Sequence, residues 1–109
     1  RELLARVVYA ESNTEPIEWQ IAVAQVVLNR VRSESFPDTV SEVIYQERQF
    51  STAPILSRVT PNETNYEAVD AAFETEVVPY DVLYFSRGAE NDRAWGRIGA
   101  HVFCYGYVW

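Results

Sequence analysis

The stretch Ala5–Arg30, ARVVYAESNTEPIEWQIAVAQVVLNR, decides how the rest of the chain is read. Two apolar helical patterns meet in it at a short polar break, and Glu11 sits at the junction. Leu4, Val8 and Glu11 are spaced four and then three apart, which puts a carboxyl on the same helical stripe as two core side chains. Pro16 suits the first turn of a new helix, because it has no N–H to satisfy there. It also turns Glu15 away from the α region, so the first helix is expected to end between Glu11 and Glu15. Glu11 then lies near a helix C-terminus, where the backbone dipole opposes negative charge, and its apolar neighbours oppose it too. The pattern predicts a carboxyl poised to hand over a proton. A frayed, solvated glutamate at a helix end is the plainer reading of the same residue.

Working outward, helix one is expected from about Glu2 to Glu11 on Leu3, Leu4, Val7, Val8 and Ala10, followed by a turn at Ser12-Asn13-Thr14-Glu15. Helix two, about Pro16 to Ser33, carries Ile17, Ile21, Ala24, Leu28 and Val31, with Ala22, Val23, Val26 and Val27 widening the stripe until it nearly circles the helix. Such a helix is central and buried, leaving a narrow polar line through Glu18, Gln25, Asn29 and Arg32. Thr39 followed by Glu42 predicts a capped short helix with Val40, Val43 and Ile44. Gln46 to Ser57 lacks a steady period and reads as loop, with Phe50 as its anchor into the core. Thr60-Pro61-Asn62-Glu63 reads as a helix start, the helix then running through Tyr66, Val69 and Phe73 to about Glu76–Pro79. Val82–Phe85 and His101–Tyr105 are rich in β-branched and aromatic residues. They predict two strands paired as a hairpin near the C-terminus, joined by the polar segment 86–99. The expected class is α+β, mainly helical, in one domain spanning residues 1–109.

Composition narrows the function. The 109 residues suit one modest core, and 48% hydrophobic with 14% aromatic content argues for a packed globule over a disordered segment. Sixteen acids stand against nine arginines, for a net charge of −7. Nucleic acid is therefore an unsuitable partner, since binding it needs a basic face to displace counterions. One cysteine and one histidine offer no disulfide framework and no metal-ligand set. No cofactor or metal is expected. No apolar run is long enough to cross a membrane, and the opening Arg1-Glu2-Leu3-Leu4 is not a signal peptide. The pattern starts inside a helix, as in an excised catalytic domain with export or anchoring segments upstream. Tyrosines and tryptophans, which pair an apolar face with a polar tip, permit a sugar-binding cleft. Most of them are expected simply to be core.

In ordered motifs the chain resembles the catalytic domain of SleB/CwlJ-type cell wall hydrolases. The resemblance is carried by Ala5-Arg6-x-Val8-Tyr9-Ala10-Glu11, Glu15-Pro16 and Gln20-x-Ala22-Val23-Ala24-x-Val26-Val27-Leu28-Asn29-Arg30-Val31. It continues through Phe36-Pro37-x-Thr39-Val40, Val43-Ile44-Tyr45-Gln46, Phe50, Leu83-Tyr84-Phe85, Trp95 and Ile98-Gly99-x-His101-Val102-Phe103. The resemblance implies a lysozyme-like fold and action on peptidoglycan glycan strands; the expected place is outside the cell, in the cell wall or spore envelope, and the expected state a monomer. It implies Glu11 as catalytic acid, with Tyr84, Tyr45, His101, Trp95 and Gln20 lining or supporting the cleft. The implied reaction is that of a lytic transglycosylase, which cleaves the β-1,4 bond from N-acetylmuramic acid to N-acetylglucosamine and leaves a 1,6-anhydromuramic end. A muramidase using water, which would want a second carboxyl such as Glu15 or Asp92, and a non-catalytic glycan-binding module are the alternatives. The chain departs from the family at Ala10 and Thr14, where glycines are common, and at Ser86, where asparagine is common. A glycine in place of Thr14 would admit a positive φ that threonine resists.

Overall fold

A computed structural model describes residues 2–45, 53–87, 92–99 and 101–105. Helix α1, Glu2–Ser12, turns Leu4, Ala5, Val7 and Val8 inward, residues three and four apart that share one face. It ends where the Ser12 hydroxyl donates back to the Val8 carbonyl (3.0 Å) and the Glu15 N–H bonds the Ser12 carbonyl (3.0 Å). Helix α2, Ile17–Arg32, follows directly. Pro16 is its N-cap, one place earlier than the first-turn position expected, and its carbonyl accepts from Trp19 and Gln20.

Eleven of the sixteen α2 residues are buried, which makes it the spine against which α1 and the later elements pack. The expected polar line is only half on the surface. Glu18 and Arg32 are exposed, whereas Gln25 and Asn29 are buried and spend their amides on loop backbone. Helix α3, Val40–Ile44, starts at Thr39, whose hydroxyl accepts from the Glu42 N–H at 3.2 Å and donates to the Glu42 carboxylate at 2.8 Å.

Three expectations need correction. The segment read as loop through Ser57 contains a 3₁₀ helix, Ala53–Arg58. Its buried anchor is Leu56, whose carbonyl accepts from Arg6 Nη1; Phe50 lies outside the described residues. Helix α4 runs Glu63–Ala72, starting later and stopping sooner than expected. Asn62 caps it, because Asn65 completes a reciprocal capping box that Thr60 cannot make. It stops at Ala72 because Gln25 takes the Ala72 and Thr75 carbonyls, while Thr75 folds its hydroxyl and N–H back onto the Ala71 carbonyl.

The third correction concerns the sheet. Strands β1, Val82–Arg87, and β3, His101–Tyr105, pair antiparallel as expected, but β2, Ala94–Ile98, lies within the segment read as a connection. The order is β1-β3-β2. The continuously buried run His101–Cys104 is thus the central strand, while AWGRI is an edge strand with a glycine in it and no alternation to betray it. Gly99, at φ +62°, makes the tight return from β2 to β3. The whole is α+β and mainly helical, built around one buried cluster from α1, α2, α3, α4, the 3₁₀ segment, β1 and β3.

Candidate active site

Glu11 is the penultimate residue of α1 and is half-buried. It opens onto a hollow of about 210 Å³ lined entirely by residues 9–15, the last turn of α1 and the link to α2. The wall is mostly polar: Tyr9, Ser12, Asn13, Thr14 and Glu15 share it with Glu11. Glu15, one of two spare carboxyls considered from sequence, therefore lies in the same hollow, with the Thr14 hydroxyl donating to it at 3.4 Å. The other, Asp92, is an exposed turn residue ahead of β2 and does not line it.

The turn beside Glu11 is held from α2 and from the start of α4. Gln20 Nε2 donates to the Glu15 carbonyl at 2.9 Å, and Gln20 Oε1 accepts from Asn65 Nδ2 at 2.8 Å. Asn62 Nδ2 donates to Asn13 Oδ1 at 2.7 Å. Gln20 is 1% and Asn65 0% exposed, so of lining or supporting the cleft only support is open to Gln20. Its placement is behind the turn, not in the hollow.

His101 is enclosed in the same way. It is 1% exposed and enclosed edge-on by Trp19, Phe85 and Phe103, with ring centroids 4.9, 5.1 and 6.2 Å away. Trp19 Nε1 donates to His101 Nδ1, so the imidazole keeps its own hydrogen on Nε2. Trp19 in turn covers Gly99 so closely that a Cβ there would sit 1.9 Å from Cζ3 of the indole. The first turn of α2 and the β2–β3 return are thereby locked together.

Tyr84 lines a second hollow, about 260 Å³, with Phe85, Ser86, Arg93 and Cys104. Its ring packs edge-on against Phe36 and lies 5.0 Å from the Arg30 guanidinium carbon. Burial pulls the Arg30 pKa down to about 10, with Tyr84 opposing the shift, and Arg30 Nε donates to the Leu83 carbonyl at 2.6 Å. Trp95 packs half-buried against the core from β2, and Tyr45 is 52% exposed at the end of α3. Neither lines the Glu11 hollow. Sequence reasoning passed over Asn13, Asn62, Asn65 and Trp19. The spacing Asn62-x-x-Asn65 was the available signal, since an amide can serve in place of glutamate in a capping box. Among the described residues, no group of three or more His, Cys, Asp or Glu could hold a metal ion, and no helix is long and apolar enough to cross a membrane.

Comparison with known proteins bears on this arrangement. The sequence model of the Cell Wall Hydrolase family matches residues 14–104, beginning three positions beyond Glu11. A spore cortex-lytic enzyme of Bacillus cereus is 42% identical over 94% of this chain, and one of Bacillus subtilis is 39% identical over the same share. The chain spans 43% and 36% of those relatives' lengths. Two solved structures superpose closely. The catalytic domain of the Bacillus cereus SleB protein has a TM-score of 0.82 at 40% identity, with 94% of this chain and 87% of that one aligned. The catalytic domain of the germination-specific lytic transglycosylase SleB from Bacillus anthracis has a TM-score of 0.81 at 40% identity, aligning 94% and 91%.

Proposed function

This chain belongs to the cell wall hydrolase family, and on that premise we propose that it is a catalytic domain cutting peptidoglycan glycan strands as a lytic transglycosylase. The observation that carries the reading is Glu11, half-buried at the end of α1 in an open polar hollow that its own turn builds. A protonated Glu11 donates to the glycosidic oxygen between N-acetylmuramic acid and N-acetylglucosamine. The C1–O bond breaks and the N-acetylglucosamine side leaves as its 4-hydroxyl. The muramic C6 hydroxyl then closes onto C1, and its proton passes to the Glu11 carboxylate, which restores the acid. One carboxyl suffices for both transfers, and assistance of this kind is typically worth about 10²–10⁴ in rate. The similarity to a solved lytic transglycosylase domain supports the same choice. The site of action that follows is the wall or spore envelope, as the names of the relatives suggest.

Glu15 in the same hollow gives the rival reading its footing. A muramidase uses a second carboxylate, about 5–5.5 Å from the acid to retain configuration or about 6.5–9.5 Å to invert it. Mass spectrometry of fragments released from purified peptidoglycan separates the two. The transglycosylase leaves muramic ends lighter by one water than reducing ends; a digest with reducing ends alone would establish the hydrolase instead.

A further inference from the structure

We propose that Gln20, Asn65 and Asn62 are positioning residues that hold the wall of the Glu11 hollow in its reactive geometry through a chain of side-chain amides linked by the backbone N–H groups of the α4 cap. The inference rests on the reading of Glu11 as the acid.

The segment between α1 and α2 is short, and residues 13–15 of it form the hollow beside Glu11. The chain of amides grips this segment at two points. At one end the Glu15–Pro16 peptide has no N–H, so its carbonyl is the only backbone handle it offers. Gln20 Nε2 takes that carbonyl at 2.9 Å. At the other end Asn62 Nδ2 takes Asn13 Oδ1 at 2.7 Å. Between the two grips lie the Gln20–Asn65 bond, 2.8 Å, and the reciprocal cap bonds of Asn62 and Asn65, 2.8 and 3.0 Å.

Every amide orientation is dictated by backbone. The Glu15 carbonyl can only accept, so the Gln20 nitrogen must face it; the Asn62 N–H can only donate, so the Asn65 oxygen must face it. Gln20 Oε1 and Asn65 Nδ2 are then left facing each other with matching polarity. The cap of α4 closes through Asn62 and Asn65 alone, so helix termination does not require the bonds to Gln20 and Asn13. Burying the Gln20 amide gains little over an apolar side chain of similar size. What the amides add is direction: the N-terminus of α4 is tied to the backbone flanking the acid.

Three variants, each assayed for melting and for kcat and KM on purified peptidoglycan, test the idea. Gln20→Glu puts two acceptors face to face at the Glu15 carbonyl. It is expected to lower kcat about tenfold near neutral pH with KM little changed, as misplacement near a reacting centre does. Lowering the pH protonates the introduced carboxyl, which can then donate as the amide did, and the deficit relative to parent should close. Asn62→Ser keeps the cap, because serine caps as well as asparagine, but cannot reach Asn13. It is expected to melt like the parent and lose about threefold in kcat. Should Gln20→Glu fail to fold, Asn62→Ser decides alone. The third variant, Glu11→Gln, separates the two claims. If it is inactive while Asn62→Ser and a folded Gln20→Glu keep parent kcat, the positioning role is overturned and the acid stands. If it turns over like the parent, both fall.

Discussion

The two halves of α2 use the same device on different neighbours. At the N-terminal end, Gln20 holds the Glu15 carbonyl and so fixes a turn that walls an acid. In the C-terminal half, Gln25 accepts from the Val77 and Val78 N–H groups and donates to the Ala72 and Thr75 carbonyls. One turn on, Asn29 takes the Pro79 and Val82 carbonyls and Arg30 takes that of Leu83. These bonds fix the irregular passage from α4 into the sheet. A buried amide that satisfies loop backbone is thus a structural device in both places, and what it adjoins decides whether its loss is read in stability or in rate. Loss of the Gln25 bonds is expected to report in melting, loss of the Gln20 bonds in kcat.

The comparison is tested most severely at Gly99. Its φ of +62° is costly for any residue with a Cβ, and that Cβ would lie inside the Trp19 ring. Left-handed geometry costs about 1–2 kcal/mol and overpacking about 1–3. Gly99→Ala is therefore expected to lose about 3 kcal/mol in denaturant melts. A loss under about 1 kcal/mol would mean that the Trp19–sheet contact does not anchor the N-terminal end of α2.

Gln25→Leu comes next. It leaves the buried Val78 N–H without its acceptor, along with Val77, at about 1–3 kcal/mol for a buried group so stranded. Urea titration should show about 3 kcal/mol lost, with kcat unchanged below the melting transition. A matching fall in kcat would erase the contrast between the two halves.

The smallest effect lies on the α1 surface. Tyr66 and Arg6 hold the Glu2 carboxyl below its ordinary 4.5 by hydrogen bonding, so this carboxylate favours the fold above that value. Its contribution is lost as pH falls through the lowered folded value. Glu2→Gln should thus melt slightly lower than the parent at neutral pH and alike once both are well below pH 4.5. A gap that persists in acid would point to a cause other than titration of this carboxyl.

The helical part was legible because burial there follows a local period. Leu4, Val8 and the α2 stripe announce their faces within a few residues, and Glu11 stands near the end of α1 where the proline placed it. The sheet was half legible: the run at His101–Cys104 reads as a buried strand, but β2 owes its place to its partner and carries no pattern of its own. The surroundings of Glu11 were the least legible. Gln20 meets Asn65 across 45 residues and His101 meets Trp19 across 82, and no local spacing encodes such pairs. The family resemblance put Gln20 and His101 at the cleft, and polarity alone does not say what a side chain meets. Here it meets a buried backbone carbonyl or an indole N–H.

The most direct test of the acid itself is the turnover of purified peptidoglycan by Glu11→Gln, with the melting curve of the same sample as its control. Loss of at least about 10²-fold in kcat with an unchanged melting temperature is the predicted result. Turnover within twofold of the parent, by a variant that melts normally, would contradict the account at its centre.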